Sequence, residues 1–189
     1  MFRWCFVCGR EVELVNNARK MGRRNILLTK LMIVFGNRTV ELRTAHKREF
    51  DLDNGIWTIK DSKAGHTIIR PIHDSVVADI EELKDLYPDT PILLPPTNEP
   101  FATVPVSGQS LVKIPETINK RLQLEKWNMH DLRRTIQSHM LALRIDEGVT
   151  EKIIGHVQQG TKANYNKHDY LVEQLEAYDK WINHLDGLT

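Results

Sequence analysis

An apolar run over residues 26–35 is the first clear pattern along the chain, and only two of its ten positions are polar. The run has the length of a helix and is followed by Gly36. Glycine readily adopts the left-handed conformation that ends many helices. The pattern therefore predicts a helix that ends at Gly36, and a shorter second helix is expected over residues 40–45.

Residues 50–73 change to the alternation of apolar and polar positions that is typical of strands. Asn54-Gly55 is the strongest short signal for a hairpin turn, and residues 56–59 alternate directly behind it. A further turn is expected over residues 61–65, with a returning strand over residues 67–72. The segment therefore predicts a small antiparallel sheet of about three strands.

The remainder of the chain predicts helices separated by one proline-rich loop over residues 88–115. Asp74 and Ser75 are expected to cap the first of these helices, and Asn128 a later one. The predicted helices cover residues 76–86, 115–124, 131–143, 146–154 and 170–185. The fold class is therefore α+β and mainly helical, with helices around one small antiparallel sheet.

The last predicted helix carries an apolar stripe, which is expected to pack on the body of the same domain. The stripe consists of Leu171, Leu175, Tyr178, Ile182 and Leu185. Three tryptophans in apolar surroundings, Trp57, Trp127 and Trp181, are expected in the core.

Composition and charge narrow the class of protein. The 189 residues are 41% apolar and 27% charged, which is typical of one globular domain. No run of eighteen apolar residues exists, so no membrane span is expected, and two cysteines without a secretory signal favour a reducing cytoplasm. Basic residues dominate up to Arg48 and acidic residues follow Tyr165. This asymmetry fits a polyanion on one side and a partner on the other, with ordinary solvated faces as the alternative.

Three short signatures follow one another in the last third of the chain: residues 130–133 (His-Asp-Leu-Arg), Gly155-His156 and Tyr165. His130 and Arg133 lie three residues apart, so a helix places them on one face, where both can reach one phosphate. Arginine suits this task because its guanidinium is planar, charged and bidentate. The set supplies cations for a phosphodiester and one hydroxyl nucleophile.

A tyrosine hydroxyl is a weak nucleophile at neutral pH, because its ordinary pKa is about 10. Neighbouring arginines and a histidine would favour the phenolate of Tyr165. Its attack on a phosphodiester would conserve the energy of that bond in a phosphotyrosyl link, which the freed hydroxyl can later reverse. The sequence shows no acidic residues spaced as metal ligands, so neither a metal ion nor a cofactor is expected.

In this order, the signatures resemble those of the tyrosine recombinases, the phage integrase family, and the resemblance extends over about residues 22–185. Residues 36–42 (Gly-Asn-Arg-Thr-Val-Glu-Leu) are similar to the first box of the family, which makes Arg38 its first arginine. Lys63 stands where the family has its hairpin lysine.

The second half of the resemblance contains the other family elements. Residues 130–135 are similar to the second box, and residues 154–156 match the Leu-Gly-His element with one conservative change. Tyr165 stands at the usual distance behind that histidine. Residues 163–171 are similar to integrases of temperate phages and genomic islands.

The resemblance implies a function and a role for each residue. Tyr165 would attack the scissile phosphate to form a 3′-phosphotyrosyl bond, and Arg38 and Arg133 would bind its non-bridging oxygens. Lys63 would be the general acid for the departing 5′-hydroxyl. The implied function is site-specific DNA recombination, which means the integration or excision of phage or island DNA.

His130 and His156 would assist proton transfer and orientation in this scheme. The implied partners are double-stranded DNA attachment sites, other recombinase protomers and accessory DNA-bending proteins, in the cytoplasm of a bacterial cell and without a membrane. Residues 22–189 are expected to form the catalytic domain, and residues 1–21 a linker or remnant from a DNA-binding domain that would precede it. In this family the segment after the tyrosine often docks on a neighbouring protomer, which is the alternative to packing on its own body.

Simpler interpretations remain open for several residues. Arg38 could form an ion pair with Glu41 on a helix surface, Lys60 could replace Lys63, and Tyr170 could replace Tyr165 as the nucleophile. Arg134 is expected in a salt bridge or a backbone-phosphate contact. Cys5 and Cys8 form a single C-x-x-C pair, which is a weak indication of zinc.

Three other functions would use some of the same residues or a similar fold. A type IB topoisomerase-like enzyme would use the same groups but would need a longer basic scaffold. A non-catalytic DNA-binding module of the same fold is disfavoured by the complete set of catalytic positions. A metal-dependent nuclease is disfavoured by the missing carboxylate cluster.

Overall fold

The computed structural model describes residues 22–60, 65–123, 125–156 and 169–188. Within these ranges the α-helices are α1 (Arg23–Phe35), α2 (Thr39–Arg43), α3 (Val77–Asp85), α4 (Gly108–Leu122), α5 (Met129–Ala142), α6 (Glu147–Ile154) and α7 (Leu171–Asp186). The strands are β1 (Phe50–Asp51), β2 (Ile56–Ile59) and β3 (Ile68–Pro71). The predicted linker over residues 1–21, with Cys5 and Cys8, lies outside the described residues.

Helix α1 forms the centre of the domain, and it packs against α2, α3, α5 and α7. Its apolar residues are buried around most of its circumference, from Ile26 to Phe35, as expected for a helix surrounded by others. The helix ends as predicted, because Gly36 adopts the left-handed conformation at φ 60° and its N–H donates to the Met32 carbonyl.

The three strands form one antiparallel sheet in the order β1-β2-β3, which confirms the predicted sheet. The Asn54-Gly55 turn joins β1 to β2, with Gly55 at φ 63°. Trp57 lies opposite Arg70 on β3 and stacks on Phe50, with ring centroids 4.9 Å apart. All three tryptophans are buried, as predicted for the core: Trp57 and Trp181 completely, and Trp127 almost completely. The sheet thereby covers one side of the helical core.

The start of α3 differs from the prediction. Residues Asp74–Val76 form a separate 3-10 turn, and α3 begins after it at Val77 without a side-chain cap. The side chain that caps the 3-10 turn belongs to His73, whose Nδ1 accepts from the Ser75 N–H. The expected caps, Asp74 and Ser75, are therefore part of the turn.

The proline-rich loop is shorter than predicted, because α4 begins at Gly108 and includes Pro115. Ser107 caps this helix by accepting from the Ser110 N–H. The buried side chains of Leu111, Ile114 and Ile118 follow helical spacing, so burial of this face outweighs the one backbone hydrogen bond that Pro115 cannot donate.

Helix α5 has the predicted cap, Asn128, and begins two residues before the predicted range, and α6 begins one residue after its predicted start. The Asn128 side chain accepts from the His130 N–H, and the Asp131 side chain accepts from the Asn128 N–H, so two backbone donors at the start of α5 are satisfied. Asp146 caps α6 by accepting from the N–H groups of Gly148 and Val149. Both helices therefore have fixed starting points, and α6 ends at Gly155 in the left-handed conformation.

Helix α7 packs on the body of its own domain, against α6, β3, α1 and α5. Its buried face is rotated from the predicted stripe, and it consists of Gln174, Ala177, Tyr178, Trp181 and Leu185. Leu175, which the stripe included, is 39% exposed. The rotation brings the Trp181 indole to the end of α1, where Nε1 donates to the Ile33 carbonyl at 2.9 Å.

Candidate active site

Arg38 directly precedes α2, and its side chain is fixed between that helix and the end of α6. Nη1 donates to Glu41 Oε1 at 2.9 Å and to the Gly155 carbonyl at 3.0 Å. The backbone N–H of Arg38 donates to the other oxygen of Glu41. The Arg38 side chain is 26% exposed, so it is anchored inside the domain while part of it reaches the surface.

Glu41 is a buried hub of this site and not a member of a surface pair. Its carboxylate is 1% exposed and receives Arg38 on one oxygen and Arg70 Nη2 on the other, each at 2.9 Å. A buried carboxylate is tolerated when it is paired and hydrogen-bonded in this way. The simpler interpretation of an Arg38–Glu41 pair is therefore correct about the contact and wrong about its place on the surface.

Arg70 is a member of this network that the sequence analysis missed. It lies on β3 with its side chain fully buried, and its Nε donates to the Ile153 carbonyl at 2.7 Å. Its guanidinium lies 5.3 Å from the centroid of the Trp57 ring, within cation–π range. An arginine within the otherwise apolar strand β3 is the feature of the sequence that could have indicated a buried partner for a carboxylate.

Arg133 is buried on α5, and its Nη1 donates to the Gly36 carbonyl at 3.0 Å. Burial is the main cause that lowers its pKa to about 10, followed by the positive charge of Arg38. The group stays charged at neutral pH. Its Nη2 is buried and has no hydrogen-bond acceptor among the described residues. A buried cation with an unused donor, beside a second cation, is suited to bind an anion.

His130 lies in the first turn of α5, one helical turn before Arg133, and is largely exposed. Partial burial, then the charges of Arg134 and Arg133, lower its pKa, with a smaller effect of Arg38 in the same direction. The neutral form of the His130 ring is therefore favoured in the free protein. The side chain of Arg134 is 67% exposed and binds Asp131, which confirms the salt bridge expected for it.

His156 follows the left-handed Gly155 at the end of α6. Its backbone N–H donates to the Glu151 carbonyl at 2.9 Å, and its ring Nδ1 lies 2.8 Å from Glu151 Oε2. Gly155 has no room for a side chain, because an added Cβ would lie 2.7 Å from Ile68 Cδ1 and 3.0 Å from Arg70 Nη2.

Two carbonyl groups link three of the four described members of the predicted site, Arg38, Arg133 and His156. Arg133 binds the carbonyl of Gly36, two residues before Arg38, and Arg38 binds the carbonyl of Gly155, next to His156. The ends of α1 and α6 meet α5 here, since a Cβ on Gly36 would contact both Ile136 and Ile154. The two guanidinium groups thus belong to one cluster, and their charges also act on the His130 ring.

Lys63 and Tyr165, the two remaining members of the predicted set, lie outside the described residues. The alternative lysine, Lys60, is exposed directly after β2. The alternative tyrosine, Tyr170, directly precedes α7 with a positive φ of 53°. No group of three or more His, Cys, Asp or Glu side chains that could hold a metal ion occurs within the described ranges. No described helix is long and apolar enough to cross a membrane.

The fold is that of tyrosine recombinase catalytic domains. The XerA recombinase superposes with a TM-score of 0.65 at 18% identity, over 94% of this chain and 60% of that one. The integrase from mycobacterium phage Brujita gives 0.65 at 15% identity, over 84% and 52%. The XerH site-specific recombinase, bound to difH substrate before cleavage, gives 0.59 at 20% identity, over 85% and 42%. The chain therefore spans about half the length of these proteins.

The sequence gives a more direct assignment. The model of the phage integrase family matches residues 10–171, which is most of the chain, and the protein belongs to that family. No curated protein sequence matches the chain significantly.

Proposed function

We propose that the protein catalyses site-specific DNA recombination by cleaving and rejoining strands through a 3′-phosphotyrosyl intermediate. The observation that carries this proposal is the joint anchoring of Arg38 and Arg133, two guanidinium groups from separate elements held in one cluster. Membership of the phage integrase family supports the same conclusion. The biological reaction is the integration or excision of phage or island DNA.

In this proposal Arg38 and Arg133 bind the non-bridging oxygens of the scissile phosphate. Negative charge grows on those oxygens in the transition state, so donors that are fixed in advance stabilise it more than they stabilise the substrate. Arg133 has the clearer fit, because its buried Nη2 has no acceptor among the described residues. Arg38 contributes the part of its guanidinium that faces solvent.

Tyr165 is the proposed nucleophile and Lys63 the proposed general acid. The Tyr165 oxygen forms a bond to phosphorus and passes its proton to a neutral imidazole of the site or to water. At the same time the bond from phosphorus to the 5′-oxygen breaks, and that oxygen takes a proton from Lys63. The reverse attack by a DNA 5′-hydroxyl rejoins a strand and releases the tyrosine. No external energy is needed, because the phosphotyrosyl bond replaces one phosphodiester with another.

His130 and His156 assist in orientation and proton transfer. The lowered pKa of His130 favours its neutral form before DNA binds, and a neutral imidazole can accept a proton or a hydrogen bond near the phosphate. The proposed partners are double-stranded attachment sites, further protomers of the recombinase and accessory DNA-bending proteins, and the proposed compartment is the bacterial cytoplasm.

The proposal is tested by covalent capture. The protein is incubated in EDTA with a pool of nicked duplexes that carry randomised arms, and protein–DNA adducts are isolated on a denaturing gel. We expect an adduct that is lost in Tyr165→Phe and kept in Tyr170→Phe. Sequencing of the captured DNA then yields the preferred attachment sequence for all later experiments.

The matched tyrosine variants decide the assignment of the nucleophile. An adduct that persists in Tyr165→Phe and disappears in Tyr170→Phe would move the nucleophile to Tyr170. DNA binding without any adduct, in wild type and in both variants, would contradict strand transfer and favour a non-catalytic module.

A further inference from the structure

Glu151 contacts His156 twice, although no motif of the sequence points to it. Its backbone carbonyl accepts from the His156 N–H at 2.9 Å, and its carboxylate Oε2 lies 2.8 Å from Nδ1 of the His156 ring. Glu151 is five residues before His156, farther than side chains on one regular helix normally meet. The contact therefore needs a special geometry at the end of α6.

That geometry is a helix C-terminal motif centred on Gly155. The Gly155 N–H donates to the Lys152 carbonyl and the His156 N–H to the Glu151 carbonyl, which is the pair of bonds of a Schellman motif. The motif folds the second residue after the helix back over the last turn. The side chains that meet there are usually apolar, whereas here they are a carboxylate and an imidazole.

We infer that Glu151 is a positioning residue of the active site, which fixes the orientation and the tautomer of the His156 ring. An ionised carboxylate only accepts hydrogen bonds, so Nδ1 of His156 carries the hydrogen that Glu151 receives. Nε2 is then the ring nitrogen left to act on the scissile phosphate or on a transferred proton. This inference rests on the proposed function of the site.

A second contact holds Glu151 itself in place. Gln137 on α5 donates from Nε2 to the other carboxylate oxygen of Glu151 at 3.3 Å. Gln137 follows His130 and Arg133 at spacings of seven and four residues, so the three lie along one face of α5. That face serves the site directly through His130 and Arg133, and indirectly through Gln137, Glu151 and His156.

The exposure of the pair argues for a role beyond stability. The side chains of Glu151 and His156 are 25% and 40% exposed. Ion pairs and hydrogen bonds at such exposed positions add little to folding stability. A loss of Glu151 is therefore expected to leave the fold intact and to change the behaviour of His156.

The test compares Glu151→Ala and Glu151→Gln with a matched control, Glu147→Ala, one turn earlier on the exposed side of α6. Single-turnover cleavage is measured at saturating concentrations of the captured nicked duplex, and binding of that duplex is measured separately. We expect Glu151→Ala to slow cleavage roughly 10- to 100-fold at unchanged DNA affinity, because the imidazole loses its fixed geometry. Glu151→Gln keeps an acceptor for Nδ1 and should recover most of the rate, and Glu147→Ala should cleave like wild type.

Two further measurements separate positioning from a merely structural role. ¹⁵N chemical shifts of the His156 ring should report the Nδ1–H tautomer in wild type and a shift toward the Nε2–H tautomer in Glu151→Ala. The double variant Glu151→Ala/His156→Ala should be no slower than His156→Ala alone, since Glu151 acts through that histidine.

The inference is overturned if Glu151→Ala cleaves at the wild-type rate, if its rate loss adds to that of His156→Ala, or if the tautomer of His156 is the same with and without Glu151. The NMR measurement needs no cleavage. Failure of the proposed function would appear as the absence of any adduct in wild type, whereas failure of this inference would appear as an unchanged His156 ring.

Discussion

Gly155 is the residue at which the geometry of the site is most tightly constrained. It adopts φ 66°, and its Cα lies so close to β3 that an added Cβ would be 2.7 Å from Ile68 Cδ1. The same residue offers its carbonyl to Arg38 and reverses the chain before His156. Its conformation and its lack of a side chain are therefore both needed to bring His156 beside Arg38.

Gly155→Ala is expected to destabilise the domain by about 2–4 kcal/mol, because it combines an unfavourable left-handed alanine with overpacking against β3. Urea unfolding measures the loss, and covalent capture should show less adduct even where the variant is folded. Gly108→Ala is the control, since Gly108 has no atom within 4 Å of an added Cβ and starts a helix. Equal effects of the two substitutions would contradict the constraint at Gly155.

The sequence indicates the residues of the candidate site but only some of the residues that support them. Arg38, His130, Arg133 and His156 carry recognisable spacings, and the structure brings them together. The contact of Glu41 with Arg38 follows from a spacing of three residues, but its burial and its second partner, Arg70, do not. Arg70 and Glu151 support the site through a contact between distant residues and through a contact across a chain reversal, and no local spacing reveals these. The only indication of Arg70 in the sequence is the presence of an arginine within an otherwise apolar strand.

At the scale of elements, local signals predict where helices lie, whereas tertiary packing decides how far some of them extend and which face they bury. Helix α6 has its cap at Asp146 and its stop at Gly155, so both ends are local. Helix α4 begins at Gly108, seven residues before the predicted start at Pro115. A proline favours a helix boundary, but the buried face of this helix extends to both sides of Pro115. In α7 the buried face keeps Tyr178 and Leu185 of the expected stripe, but it includes Gln174 and Trp181 and leaves Leu175 exposed, because the neighbouring elements decide which side of the helix is covered.

Helix α7 is joined to α5 by a pair of histidines, which makes its docking sensitive to pH. His139 Nδ1 lies 3.2 Å from His184 Nε2, and this contact requires at least one unprotonated ring nitrogen. Burial, then the neighbouring His184, lower the pKa of His139. His139 is therefore protonated more readily in the unfolded chain than in the folded protein. The stability that the neutral pair provides is complete above the ordinary pKa of about 6.5, and it is lost as the pH falls through the lowered pKa of the folded state.

We expect the free energy of unfolding to decrease between about pH 7.5 and pH 5.5, and His139→Gln to flatten that decrease. Urea unfolding at the two pH values measures it. His73→Gln serves as the control, because it removes a different histidine contact with α7, the one to Asp179, and should leave the decrease caused by the His139–His184 pair in place. If His139→Gln leaves the pH dependence unchanged, the histidine pair does not control the docking of α7.

At the scale of the whole molecule, the elements around the candidate site are joined by arginines that bind from one element to another. Arg38 ties the start of α2 to the end of α6, Arg133 ties α5 to the end of α1, and Arg70 ties β3 to both α2 and α6. Several of the accepting groups are carbonyls at helix C-termini, which carry partial negative charge and lack partners within their own helix. Hydrogen bonds from guanidinium groups to these carbonyls thus join the elements and fix the positions of the arginines.

Arg70 has the greatest share in this assembly, and its removal should show it. Arg70→Met would leave the buried Glu41 with one cation fewer and the Ile153 carbonyl without its donor, so we expect a loss of about 3–5 kcal/mol in the free energy of unfolding. Arg134→Met is the matched control, since Arg134 is mostly exposed and should contribute less than about 1 kcal/mol. Urea unfolding of both variants beside wild type measures the difference. Similar small losses in both would mean that the buried network tolerates replacement by an apolar side chain, and that the site is held by Arg38 and Arg133 alone.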